Sequence, residues 1–131
     1  MRLDWSRGEL AEGLRCYRSE EFFEAHEHWE CVWLEMPEPD KTFLQALIQI
    51  AAAFHHLKRR NPLGTVSLLS GAVRRLQRYP EEYGGIRVAD LLLEIEVWLR
   101  TLQRDEDVAS LAFPRFGLSE RADGRKNDEC R

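Results

Sequence analysis

Apolar residues recur along most of this chain three or four positions apart, and no segment sustains the every-other-residue alternation of a half-buried strand. Five helices follow from that pattern. The first runs from about Ser6 to Arg18, with Leu10, Leu14 and Tyr17 on one face and Ser6 as its cap, three residues before Glu9. The second runs from about Glu21 to Met36 and ends at Pro37-Glu38-Pro39-Asp40. The third, about Lys41 to Arg60, is apolar around most of its circumference and is expected at the centre of the bundle. Asn61-Pro62 supplies an N-cap and a first-turn proline for the fourth, which Leu63, Val66, Leu69, Val73 and Leu76 carry to about Arg78. After a break from Tyr79-Pro80 to Gly84-Gly85, the fifth runs from about Val88 to Leu102, with Leu91, Leu92, Ile95, Trp98 and Leu99 in register.

The expected fold is all-α: a compact five-helix bundle without a sheet, spanning residues 1–104 with its core at about 6–102. Residues 105–131 read as an extension. From about Pro114 onward, Arg115, Glu120, Arg121, Asp123, Arg125 and Lys126 mix charge with glycine and few apolar residues, the composition of a disordered tail. A shift of 40 residues superposes Leu14, Tyr17, Phe23, Trp29, Trp33 and Met36 on Phe54, Leu57, Leu63, Leu69, Val73 and Leu76. Each set describes two helices joined by a tight turn, and the pattern resembles a tetratricopeptide-like helical hairpin.

Composition narrows the class further. With 44% hydrophobic residues, four Trp and six Phe, the chain is expected to pack as a globule. Cys16, Cys31 and Cys130 are an odd number without CxxC spacing, and the first residues lack the apolar run of a signal peptide, so a reducing cytoplasm is expected. Even the most apolar segment, Phe43 to Leu57, is interrupted by Gln45, Gln49, His55 and His56, which argues against a membrane span. A net charge of −4 argues against a nucleic-acid binder. The basic clusters Lys58-Arg59-Arg60 and Arg74-Arg75 with Arg78 fall at predicted helix ends, where cations complement the helix dipole.

The chemistry-bearing stretch is Glu21-Phe22-Phe23-Glu24-Ala25-His26-Glu27-His28-Trp29-Glu30. At about 100° per residue, Phe22, Ala25, Trp29, Val32, Trp33 and Met36 form the core face. His26 falls on its edge, with Glu27 and Glu30 on the same flank, whereas Glu24, His28 and Glu35 point the other way. On the third helix, Gln45, Gln49, Ala52 and His56 form one narrow stripe, and His55 falls on an apolar flank. An unpaired buried polar group costs roughly 1 to 3 kcal/mol, so the stripe needs partners. The expectation is that the second and third helices bring His26, Glu27 and Glu30 together with Gln45, Gln49 and His56.

Such a cluster has three readings: a satisfied network that fixes helix register, a groove that also uses Trp33 to bind a protein, peptide or small molecule, or a divalent-metal site of His26, Glu30 and His56. The metal reading extends to a metal-dependent hydrolase. No cofactor is expected under the other two. The order His26-Glu27-His28-Trp29-Glu30 is not the His-Glu-x-x-His of zinc proteases, and no Ser or Cys sits beside an assigned base. By the same wheel Cys31 lies on an outer face, and Cys16 reads as a small buried hydrophobe. Exposed aromatic surface at Trp5 or at residues 113–116 would suit a homodimer.

The blocks Glu21-Phe22-Phe23-Glu24-Ala25-His26-Glu27, Trp33-Leu34, Phe43-Leu44-Gln45-Ala46-Leu47-Ile48-Gln49 and His55-His56-Leu57, followed by Asn61, resemble the bacterial and archaeal family 309 of domains of unknown function. The similarity covers about residues 8 to 100. It implies a compact α-helical domain and no established activity. Glu24, His26, Glu27, Glu30, Gln45, Gln49 and His56 match its motif positions. Arg60 stands where the resemblance implies a glycine, and His28 and Cys31 are departures.

Overall fold

The computed structural model describes residues 3–119. Five helices carry the fold: α1 Gly8–Arg18, α2 Phe22–Trp33, α3 Asp40–Lys58, α4 Pro62–Leu76 and α5 Val88–Gln103. Consecutive helices pack against one another, α1 on α2, α2 on α3, α3 on α4 and α4 on α5. The α3 helix lies in the middle of that series, with nine of its residues buried between Phe43 and Phe54. Its apolar circumference is the cause, because it has neighbours on both sides.

The helix ends differ in detail from expectation. Asn61 caps α4 as expected, its Oδ1 accepting from the Gly64 amide at 3.1 Å, with Pro62 in the first turn. Ser6 does not cap α1; its hydroxyl donates to Asp4 Oδ1 at 2.6 Å, and the helix begins at Gly8. The segment read as a plain break holds a small antiparallel ladder, β1 Glu82–Tyr83 and β2 Ile86–Arg87, which corrects the expectation of no sheet. Gly84 and Gly85 have φ of 58° and 84°, the pair of left-handed residues that a two-residue hairpin turn needs.

After α5 the chain returns across the bundle. Leu118 bridges Ile86, the Arg87 amide donates to the Gly117 carbonyl, and the Ser119 amide donates to the Gly85 carbonyl. Phe116 is fully buried, stacked on Tyr17 at 4.3 Å between ring centres. Residues 114–119 are therefore a packed strap, where a disordered tail was expected from about residue 114. The physical reason is that two aromatics, Phe113 and Phe116, enter the core although charge surrounds them in sequence. The remainder of that expected tail, with Cys130, lies outside the described residues. Trp5 is also buried, so the aromatic surface expected at Trp5 and Phe116 for a dimer is interior.

All four tryptophans tie segments together by donating their indole N–H to a backbone carbonyl: Trp5 to Gly84, Trp29 to Leu10, Trp33 to Lys41 and Trp98 to Ala112. Each thus buries apolar area without stranding its one donor. Truncating the strap's anchor tests this packing: Phe116→Ala should lower unfolding free energy by about 3–5 kcal/mol in urea titrations. Leu93→Ala, at a side chain 63% exposed, should change it by no more than about 0.5 kcal/mol.

Candidate functional site

The residues expected to converge are shared between two interfaces. On the α2 side, His26 Nε2 lies 3.2 Å from Glu30 Oε2, one turn along the same helix. The His26 ring stacks on Phe23, and Phe23 in turn packs against His55 of α3. His26 Nδ1 is buried and has no hydrogen-bond partner among the described residues. The histidine that α3 offers to this side is thus His55. Burial pushes the His55 imidazole below its ordinary value, and the charges of Arg59, His56 and His26 add to that, against Glu24.

The polar stripe of α3 faces α4. Gln49 Oε1 accepts from Arg75 at 3.3 Å, and a Cβ on Gly71 would come within 3.1 Å of Gln49 Nε2. His56 Nδ1 pairs with Asn61 Nδ2 at 3.0 Å, and its ring lies beside Gly64. Gln45 is half-buried on the same stripe, and Thr65 adds a bond from its hydroxyl to the Ala53 carbonyl at 3.1 Å. Gln49 and His56 thus find partners on the α4 side, with glycines at positions 64 and 71 leaving room for them. Among the described residues, the donor atoms of His26, Glu30 and His56 do not form a converging set.

Trp33 closes the end of α2, with its indole on the Lys41 carbonyl and the Lys41 ammonium 4.5 Å from the ring centre. The rest of α2 presents carboxylates. Glu24, Glu27, His28, Glu30, Cys31 and Leu34 line a groove of about 510 Å³ with Glu9 of α1. Glu24 and His28 therefore share a surface with Glu27 and Glu30, which the helical wheel had set apart. Glu24 and Glu27 make no hydrogen bond or ion pair among the described residues. His28 Nδ1 meets Glu9 Oε1 at 2.5 Å. As expected, Cys31 is exposed and Cys16 buried.

A second concavity, about 430 Å³, lies between the end of α1 and residues 109–115 and is lined by Tyr17, Arg18, Glu20 and Arg115 among others. Arg18 spans it, donating to the Arg115 and Phe116 carbonyls at 3.2 Å. The Tyr17 hydroxyl is buried without a partner among the described residues. Burial, with the charge of Glu94, raises its pKa well above the ordinary phenol value, so it stays protonated.

What fold and site together define is a small α-helical domain with a carboxylate-lined groove on its first two helices. Residues 10–68 match the family model of a domain of unknown function (DUF309), so the resemblance carried by the motifs is borne out over α1 to the first half of α4. The uncharacterised protein YpuF of Bacillus subtilis (strain 168) is 34% identical over 62 residues, 47% of this chain. That stretch spans 36% of YpuF's own length. No described helix is long and apolar enough to cross a membrane.

Two outcomes follow from the buried groups. Tyr17→Phe removes a hydroxyl that earns nothing in the folded state, so the melting temperature should stay level or rise, whereas a hidden hydrogen bond would lower it. His55 resists protonation when folded, so the unfolded chain takes up the proton first as pH falls. Its stabilising contribution is present above about pH 6.5 and is lost as pH drops through the lower folded value. Thermal melts between about pH 7.5 and 5.5 should therefore show a shallower acid loss for His55→Gln than for the parent chain.

Proposed function

We propose that this protein is a binding domain that captures a basic, extended segment of a partner protein along the groove between α1 and α2. The observation that carries the reading is the pair of carboxylates, Glu24 and Glu27, that make no ion pair among the described residues, in a concave surface that also holds Glu9 and Glu30. Leu34, 67% exposed at one end, supplies an apolar contact beside them. Charge over the whole molecule favours the same face. Residues 8–36 hold eight glutamates and two arginines, whereas residues 58–78 hold six lysines and arginines and no acid. A polarised surface of this kind orients a cationic partner before contact and speeds its encounter.

His26 is part of the proposed site through Glu30, whose carboxylate it holds at the groove wall. Gln45, Gln49 and His56 act in this reading as the network that fixes α3 against α4, and Trp33 as the brace at the end of α2. The two cysteines described are free thiols, which supports work in the reducing cytoplasm.

A fluorescent peptide alternating lysine and leucine provides the probe. Its affinity should fall more than about tenfold for Glu24→Lys/Glu27→Lys, and should also weaken as salt rises, with far-UV circular dichroism unchanged. Equal loss from Arg74→Glu/Arg78→Glu, or no loss from the α2 substitutions, would overturn the proposal.

A further inference from the structure

Beside this groove, and sharing Glu9 and His28 with it, is a group of side chains with a second chemistry. Glu9, Glu12 and Cys16 are spaced three and four residues apart on α1, so they form one stripe along that helix. His28 of α2 meets the stripe across the hairpin. One donor atom each from Glu12, Cys16 and His28 lie within 4.8 Å of one another. Cys16 is 2% exposed, His28 is half-buried and Glu12 is exposed, so the set runs from the interior to solvent.

We propose that Glu12, Cys16 and His28 form a three-ligand site for a zinc-type divalent ion, with Glu9 orienting the imidazole. A thiolate, an imidazole and a carboxylate are the donors that a borderline-soft ion takes, and calcium or magnesium would ask for oxygen alone. Tetrahedral bonds of about 2.0–2.3 Å place ligand atoms roughly 3.3–3.8 Å apart, which donors within 4.8 Å reach by side-chain adjustment. The Glu9 carboxylate on Nδ1 holds that nitrogen as the N–H and leaves the Nε2 lone pair for the ion, the arrangement by which carboxylates behind a histidine fix its tautomer. Three protein ligands leave a fourth position for water.

Arg15 is the competitor. Its guanidinium binds Glu12 at 2.9 and 3.2 Å and lies 3.6 Å from Cys16 Sγ. The Arg15 side chain is 60% exposed, so the ion displaces it into solvent without unpacking the core. Burial raises the Cys16 thiol above its ordinary value, so the ion replaces a proton there: the S–H bond breaks, the S–metal bond forms, and one proton is released to solvent. Affinity accordingly rises with pH.

The site differs from the peptide groove in its chemistry, and its test contains no peptide. In a full-length chain carrying Cys31→Ser and Cys130→Ser, added cobalt(II) should produce a thiolate-to-metal charge-transfer band that zinc abolishes by competition. Cys16→Ser on that background should remove the band, and Glu9→Gln should weaken cobalt binding by about 10- to 100-fold. Arg15→Ala should tighten it, a gain that a merely structural role for the cluster does not give. Should Cys16→Ser fail to fold by circular dichroism, His28→Gln on the half-exposed face takes its place and should likewise remove stoichiometric binding. No band in the two-serine chain, or a band that survives Cys16→Ser or His28→Gln in a folded protein, would overturn the proposal.

Discussion

The contact on which the rest of the molecule depends is the ring assembly around Trp29. Trp5 meets Trp29 edge-on, Phe116 packs against both Trp29 and Tyr17, and Tyr17 passes the contact to Phe22. From Phe22 it continues through Phe113 to Phe54 and Trp98. One path of aromatic rings thereby joins the N-terminal segment, α1, α2, α3, α5 and the strap. Aromatic pairs add about 0.5–1.5 kcal/mol each beyond the area they bury, and here the same rings also define which segments are neighbours. The α4 helix stands outside the path, attached through Leu69, Ala72 and Leu76 and through the glutamine and histidine of α3.

This division explains the uneven distribution of polar chemistry. Where rings fill the interior, the polar atoms that remain are single donors sent to backbone carbonyls, as with the indoles. Where α3 meets α4, small residues allow close approach and amide or imidazole groups occupy the interface. Exposed carboxylates gather on α1 and α2, at Glu9, Glu12, Glu24, Glu27 and Glu30.

The helices were legible because their apolar residues recur every three or four positions over eleven or more residues, long enough for the period to be unambiguous. The stripe of Gln45, Gln49 and His56 was legible as a stripe too. Its partner was not, since a helical wheel gives a direction and does not say which neighbour lies there. Adjacent positions on a helix differ by about 100°, so assigning α3 to the wrong neighbour exchanges His55 for His56 beside His26. The strap was illegible for a different reason: Phe113 and Phe116 have no periodic companions, and their burial depends on a cleft that only the assembled helices create. The Glu9, Glu12 and Cys16 stripe was visible in the spacing of α1, but it carried no meaning until His28 was seen opposite.

Gly13 gives that opposition its scale. A methyl group built at this position would lie 2.3 Å from the indole nitrogen of Trp29, so the indole occupies the space where a side chain would be. The axes of α1 and α2 are free to approach at this point because one residue contributes only backbone. Glu12 lies one residue before it, Cys16 three after, and His28 one before the indole. A single absent methyl therefore works as a spacer set to its shortest length, and the reach of every side chain across the hairpin is measured from it. A glycine bearing no functional group governs how near the functional groups come.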